Sequence, residues 1–257
     1  MTGSVTIIGA GKVGNALAKA FFQSGITVDR VISKSADSAR SVALITGASW
    51  SINTSEDINS DFIILCVPDN EIESVCNELG VISGSIVAHT AGTSTIDILE
   101  SLDCRGRGVF YPLQTFSHGR EIDISTVPFL VEGADDDTEN IIFRLAESIS
   151  DSVFRLGSED RKIIHLAAVF VSNFVNHLLL AGEQLSSKTE LPFSILQPLI
   201  EETVSKAIEI GPLSAQTGPA VRNDLNTIEK QIDLLSFYPE FSEIYKAVTR
   251  SIIKNKK

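Results

Sequence analysis

The sequence predicts an α/β protein in which a doubly wound parallel sheet is followed by an all-helical domain. Strand and helix patterns alternate over roughly the first 150 residues, an arrangement typical of βαβ units and a parallel sheet. No strand pattern returns after Gly157, and helical patterns continue from there. We therefore predict two domains, residues 1–157 and residues 158–257.

Short apolar runs separated by turn residues predict the strands of the first domain. One strand begins at Val5, and a second covers about residues 28–32. Residues 62–67 form a continuous apolar run that Pro68 ends, as expected for a parallel strand covered on both faces. Further strands are predicted at 85–89, 108–111, 129–132 and 153–156, with helices at 69–80, 93–102 and 137–150.

The segment after the first strand reads Gly-Ala-Gly-Lys-Val-Gly, a G-x-G-x-x-G turn that leads into a helix pattern. In such a turn Gly9 makes the bend, Gly11 lets the backbone approach a pyrophosphate, and Gly14 lets the helix pack closely. The motif alone is weak, but its place between an apolar strand and a helix favours a dinucleotide site of the Rossmann type. The alternative is a turn that binds nothing. The predicted cofactor contacts here are Gly9, Gly11, Lys12, Val13 and Gly14.

The end of the second strand indicates which dinucleotide is bound. An NAD site would place an acid at that point, but the nearby acid, Asp29, lies at the other end of the strand. The tip instead carries Ser33, Lys34 and Ser35, which suit a 2′-phosphate and predict NADP as the cofactor. An ordinary polar loop is the alternative. Three residues at other strand ends complete the predicted cofactor contacts: Val67, Pro68 and Thr90.

Two strand ends carry candidates for proton transfer. Open α/β sheets bind ligands at the carboxyl ends of their strands, where His89 and Tyr111 are expected. Each can donate or accept a proton. For His89 the alternative is a structural histidine bonded to backbone. His118, in a polar loop, is expected to be solvated.

The helix pattern over residues 159–187 is apolar nearly all round, which predicts burial inside the domain or in a dimer interface. His165, Ser172 and Asn176 fall within roughly 40° of one another on the helix. A polar strip on a buried helix faces either protein partners or a ligand. Asn173, on one flank, is our candidate for orienting a substrate, with a helix–helix contact as the alternative.

Arg222 is the candidate for binding a substrate carboxylate, since its guanidinium can bind one bidentately. The alternative is an ion pair with Asp224 or another acid. No metal-ligand spacing stands out, so metal catalysis is not expected.

Composition limits the partners. A net charge of −12 argues against nucleic acid and anionic membrane surfaces. Polar residues interrupt the longest apolar run, so no membrane span is expected, and the short N-terminus leaves no room for a signal peptide. Three cysteines without C-x-x-C spacing indicate free thiols in a reducing compartment, which predicts a cytoplasmic location.

Six motifs together carry a family resemblance. They are Gly-Ala-Gly-Lys-Val-Gly, Leu-Cys-Val-Pro-Asp, His-Thr-Ala-Gly, Tyr-Pro-Leu-Gln-Thr-Phe-Ser, His-Leu-Ala-Ala-Val-Phe-Val-Ser-Asn-Phe and Gln-Thr-Gly-Pro-Ala-Val-Arg-Asn-Asp. From residue 5 to about residue 253 the chain resembles the Rossmann-like proteins with a C-terminal DUF2520 domain, a family of NADP oxidoreductases. More distantly it is similar to pyrroline-5-carboxylate reductase, the F420-dependent NADP reductases and the β-hydroxyacid dehydrogenases.

The resemblance implies a homodimer formed through residues 158–257, with a helical domain that closes the active site.

Two positions depart from the family pattern. Tyr111 stands where relatives carry histidine, and Asn223 stands where they carry glycine. A tyrosine is a weaker general acid than histidine unless its pKa is lowered.

These observations predict an NADP-dependent oxidoreductase. Hydride would pass between the nicotinamide and a small carbonyl or imine in the cleft between the domains. His89, Tyr111 and Asn173 are the candidates for proton transfer and orientation, and Arg222 for a carboxylate. The alternative is a non-catalytic NADP-binding sensor, which would have an apolar pocket without an acid–base group.

Overall fold

The computed structural model of the chain describes residues 3–117 and 119–255, so His118 lies outside the described residues. The chain divides into two compact units, with the boundary in sequence between Ser172 and Asn173. The first unit therefore includes the opening turns of the helix that the sequence assigns to the second domain.

The first unit is built on an eight-stranded sheet with the order β3-β2-β1-β4-β5-β6-β7-β8. Its strands are β1 Ser4–Ile8, β2 Thr27–Ile32, β3 Ser49–Ser51, β4 Phe62–Leu65, β5 Ile82–His89, β6 Cys104–Pro112, β7 Phe129–Gly133 and β8 Val153–Arg155. The predicted α/β class is confirmed.

One pairing differs from the prediction of a parallel sheet. β6 and β7 run antiparallel, with Phe110 opposite Val131, whereas the other neighbouring strands run parallel. A parallel pair needs a long crossover, usually a helix, and the described part of the connection from β6 to β7 holds only a 3-10 turn, Ile124–Thr126. β3 was not predicted because three residues are too few for a readable pattern.

Four α-helices pack on the sheet of the first unit. They are α1 Lys12–Gln23, α2 Ala36–Thr46, α3 Ile72–Glu78 and α4 Asp136–Glu147. The helix predicted over residues 93–102 is wrong, since that segment forms only a 3-10 turn, Ile96–Leu99. Side chains alternate across each strand, so Ile7 and Ile64 join one buried cluster, while Ile8 and Ile63 join another.

Helices make up the rest of the described chain. α5 Ser158–Val169 continues through a π turn, Phe170–Phe174, into α6 Val175–Ser186. The helices that follow are α7 Gln197–Ile210, α8 Pro212–Ala215, α9 Pro219–Arg222, α10 Leu225–Leu234 and α11 Pro239–Asn255. The expectation of helices alone after Gly157 is confirmed for the described residues.

The long helix Ser158–Ser186 is not buried inside the chain, so that part of the prediction is wrong. Ile163 is 65% exposed and Val171 is 74% exposed, and of α5 and α6 only Arg161 is buried. An apolar pattern indicates that a surface is covered, but it does not say whether the same chain covers it. By length and composition alone, this helix is also apolar enough to cross a membrane. The dimer-interface alternative stays a prediction.

Candidate functional site

Two glycines of the turn after β1 are required by the backbone around them. Gly9 has φ +102°, in the left-handed region, and its N–H donates to the Ile32 carbonyl at 2.7 Å. A Cβ on Gly9 would lie 2.5 Å from the Cys66 carbonyl oxygen, and one on Gly14 would overlap the Gly9 carbonyl. These two glycines are therefore needed for the fold itself.

Gly11 differs from its neighbours because it faces open space. A Cβ built there meets nothing within 4 Å, and its φ of −73° is one that any residue adopts. Gly11 is the N-cap of α1 and no side chain caps that helix end. The first-turn N–H groups therefore point outward from an open backbone surface, which fits a pyrophosphate. Lys12 is exposed beside it, and Val13 packs partly against the core.

The predicted 2′-phosphate residues lie between β2 and α2. Ser33 donates its N–H to the Ser51 carbonyl at 3.1 Å. Ser35 is the N-cap of α2, and its hydroxyl accepts from the Ser38 N–H at 3.3 Å. The Lys34 ammonium forms an ion pair with Glu71 at 2.7 Å, a partner that the sequence did not indicate.

The other predicted cofactor contacts lie at the ends of β4 and β5. The backbone N–H and hydroxyl of Thr90 both donate to the Leu65 carbonyl, at 3.1 and 3.2 Å. Val67 is partly buried and Pro68 is exposed. Since β4 lies beside β1, Val67 and Pro68 flank the glycine turn, and Thr90 lies one strand further away.

His89 is buried, and both of its ring nitrogens are engaged by backbone. The Ala91 N–H donates to Nδ1 at 3.2 Å, so the proton lies on Nε2, which donates to the Thr95 carbonyl at 3.3 Å. Burial, with the positive charge of Arg161, lowers the pKa of His89 to about 4. These contacts favour the alternative reading of His89 as a structural histidine.

Tyr111 lies at the end of β6 and is hydrogen-bonded to His165 of α5. Its hydroxyl oxygen is 2.8 Å from His165 Nδ1, and the two rings meet edge to face. A side chain at Gly92 would overlap the His165 ring, so the glycine makes room for the pair. Burial raises the pKa of the Tyr111 hydroxyl, and the nearby Asp69 carboxylate adds to this. At neutral pH Tyr111 is therefore a protonated donor.

Arg161 anchors the start of α5, the helix that carries His165. Its side chain is fully buried, forms an ion pair with Glu132 of β7, and donates to the Ser94 carbonyl and, at 3.1 Å, to the Ser158 hydroxyl. These bonds fix the start of α5 against the sheet, four residues before His165. Sequence reasoning missed Arg161 because Glu132 is 29 residues away and Ser94 is 67 residues away.

Asp69 places an exposed carboxylate at the edge of the sheet where β4 and β6 end, which is the edge that carries Tyr111. It begins the 3-10 turn Asp69–Glu71 after β4 and accepts a hydrogen bond from the Thr93 hydroxyl. Its charge acts on both His89 and Tyr111. The sequence contained it in the Val-Pro-Asp-Asn segment, but nothing there indicated proximity to Tyr111.

Asn173 and Arg222 belong to the second unit. Asn173 is exposed and lies within the π turn, a kind of helical irregularity often found at functional sites. Arg222 is exposed at the end of α9. Asp224 caps α10: hydrogen bonds from the Thr227 hydroxyl and N–H lower the pKa of its carboxyl, and the charge of Arg222 adds to this. The roles predicted for Asn173 and Arg222 stay predictions.

The fold and the glycine turn define a Rossmann-type domain followed by a helical region. The model of a Rossmann-like domain matches residues 2–113, and that of DUF2520, a domain of unknown function, matches residues 127–252. The chain belongs to the family of Rossmann-like proteins that carry this C-terminal domain, as the sequence motifs predicted.

Solved structures agree with this assignment. A Bacteroides fragilis protein provisionally classed as an NADP oxidoreductase is 33% identical, with 99% of each chain covered and a TM-score of 0.89. A protein from Thermotoga maritima is 23% identical, with 97% of each chain covered and a TM-score of 0.74. A comparison with curated proteins finds no match.

A further neighbour is a reductive aminase from Aspergillus terreus, solved in complex with NADPH and ethyl-5-oxohexanoate. It is 16% identical, with 99% of this chain and 94% of that chain covered and a TM-score of 0.78, which shows a shared fold. The 33% identical B. fragilis relative is classed as an NADP oxidoreductase, and the aminase was solved with NADPH, which agrees with the predicted cofactor.

Proposed function

We propose that this protein is an NADP-dependent oxidoreductase that reduces a small imine or carbonyl, with Tyr111 as the proton donor. The observation that carries the proposal is the hydrogen-bonded pair of Tyr111 and His165. It lies on the sheet whose β1 end forms the open glycine turn. An acid–base pair is what an enzyme needs and what a non-catalytic sensor does not.

The residues of the glycine turn fit NADP and would hold it. The backbone N–H groups after Gly11 would bind the pyrophosphate, and Ser33, Lys34 and Ser35 the 2′-phosphate. The bound cofactor supplies a hydride from the nicotinamide C4. What remains for the protein is to position the acceptor and to deliver one proton.

Tyr111 delivers that proton to the imine nitrogen or carbonyl oxygen while the carbon accepts the hydride. The tyrosine is protonated at neutral pH and so holds the proton to be donated. Because burial raises its pKa, the hydrogen bond to His165 is needed to stabilise the tyrosinate that forms. In this step the tyrosine oxygen accepts from the Nδ1–H of His165 across the 2.8 Å hydrogen bond. That proton passes to the tyrosinate while Nε2 of His165 takes one from solvent, so the imidazole ends with the number of protons it started with. His89 is left out of this step, since both of its nitrogens are bonded to backbone.

Imines and carbonyls are proposed as substrates for two reasons. A reductive aminase shares the fold over almost the whole chain. In addition, the exposed Asp69 carboxylate lies close enough to act on Tyr111, and it would favour the cationic form of an imine. Arg222 stays the candidate for a carboxylate on the substrate, and Asn173 for its orientation.

We further propose a homodimer formed through the helical region. Ile163, Leu166 and Val171 are each more than half exposed, and Ile163 lies roughly 160° around the helix from His165. Contiguous apolar surface of this kind marks an interface. The three cysteines are all free thiols, which supports a cytoplasmic location.

The test measures NADPH oxidation with a panel of small cyclic imines, and ketones paired with amines, for the wild type and Tyr111→Phe. We expect Tyr111→Phe to lower kcat by about 10²- to 10⁴-fold and to change the Kd for NADPH by less than about twofold. Tyr245→Phe is the matched control, since that hydroxyl also bonds a side chain, Gln231, but within the helical unit. Tight NADPH binding without turnover of any substrate would favour the sensor alternative.

A further inference from the structure

The strand order places the glycine turn between two loops. β1 lies between β2 and β4, so the end of β1 is flanked by the loop after β2, with Lys34, and by the turn after β4, with Glu71. Parallel strands lie about 4.8 Å apart, so these two loops are separated by roughly 10 Å. Long side chains can bridge that gap.

Lys34 and Glu71 bridge it with an ion pair of 2.7 Å, which joins the two loops across the end of β1. The Lys34 side chain is 78% exposed and that of Glu71 is 34% exposed. Neither group is therefore held in place by burial. Glu71 raises the pKa of Lys34, and Glu78 of α3 adds a weaker effect of the same sign. The ammonium at the proposed 2′-phosphate site is thus already bound to a carboxylate.

We propose that Glu71 limits the preference for NADP over NAD, because it competes with the 2′-phosphate for Lys34. The inference rests on the proposed function, since it assumes that the adenosine half of NADP lies at this end of the sheet. A 2′-phosphate must displace Glu71 from Lys34 before it can bind the ammonium, so the ion pair is lost when NADP binds. NAD has no 2′-phosphate and leaves the ion pair intact.

Lys34 is the cation of the predicted 2′-phosphate residues, since Ser33 and Ser35 bring neutral hydroxyls. The hydroxyl of Ser35 already caps α2 by accepting from the Ser38 N–H, and the N–H of Ser33 is bonded to Ser51. Arg40 is exposed further along α2. Glu71 therefore determines how available the Lys34 ammonium is to a 2′-phosphate. Removal of Glu71 favours the phosphorylated cofactor.

The experiment measures Kd by calorimetry at low ionic strength for NADPH, NADH, 2′,5′-ADP and 5′-AMP. In Glu71→Gln we expect NADPH and 2′,5′-ADP to bind about three- to tenfold more tightly, and NADH and 5′-AMP to change by less than about twofold. In the Lys34→Gln background the effect of Glu71→Gln should shrink to less than about twofold, because no cation is left to compete for.

Glu243→Gln is the matched control, since Glu243 forms an exposed ion pair with Lys246 at 3.0 Å in the helical unit. It should leave all four Kd values unchanged. Two failures can be told apart. If the wild type binds none of the four ligands, the proposed function fails and this inference fails with it. If the wild type binds NADPH but Glu71→Gln binds it no better, or if the gain persists in full without Lys34, only the competition is refuted.

Discussion

Gly11→Ala should separate cofactor binding from folding. The added Cβ meets no protein atom within 4 Å, and the backbone at Gly11, with φ −73° and ψ −163°, accepts any residue. The cost to the fold is therefore limited to a weaker N-cap, less than about 1 kcal/mol. For a chain of this size, that lowers Tm by no more than about 4 °C.

The loss of affinity for the cofactor should be much larger than the loss of stability. The methyl group would occupy the space through which a pyrophosphate reaches the first-turn N–H groups. Loss of one charge-assisted hydrogen bond costs about 1.5–3 kcal/mol, which weakens the Kd for NADPH roughly tenfold to a hundredfold. Calorimetry measures the Kd, and a thermal melt without ligand measures the fold.

Gly157→Ala is the matched control. Gly157 is also an extended N-cap without a side-chain hydrogen bond, and its Cβ would also meet nothing within 4 Å. It should show the same small loss of Tm with an unchanged Kd for NADPH. If Gly11→Ala binds NADPH as tightly as the wild type, the assignment of the pyrophosphate to this turn is refuted.

Three other predictions concern stability and assembly. His89 is neutral when folded, with a pKa of about 4 against an ordinary 6.5, so the unfolded chain binds a proton that the folded chain does not. Stability should thus fall by about 3 kcal/mol as the pH drops from 6.5 to 4, and His89→Gln should remove that pH dependence in urea titrations. Glu132→Gln leaves the buried Arg161 without its counter-charge and should cost about 3–5 kcal/mol in the same assay; a loss below about 1 kcal/mol would contradict the pairing. Ile163→Glu should halve the mass seen by light scattering, and a monomeric wild type would refute the proposed dimer.

Local patterns predicted most of the fold. Apolar runs located seven of the eight strands, and the glycine turn was placed correctly between β1 and α1. The missed strand, Ser49–Ser51, and the antiparallel β7 both depend on pairing between distant segments. The failed helix at residues 93–102 shows the same limit, because tertiary contacts override a helical pattern in a short loop.

The candidate site was predicted only in part for a related reason. Tyr111 was identified as a residue at a strand end, but its partner His165 is 54 residues further on. His89 had the same sequence signal as Tyr111, and only the backbone bonds to Ala91 and Thr95 distinguish it. The sequence did not indicate a role for Glu71, because only the strand order brings it close to Lys34.

The central claim is that this chain binds NADP at the glycine turn, and a thermal-shift titration of the wild type tests it most directly. Purified protein is melted with increasing NADPH, NADP, NADH and NAD. Ligand at 100 times its Kd should add about 2.7 kcal/mol of stability, and NADPH should reach that effect at lower concentration than NADH. A flat response to all four nucleotides would contradict the claim, and the proposed proton transfer from Tyr111 would fall with it.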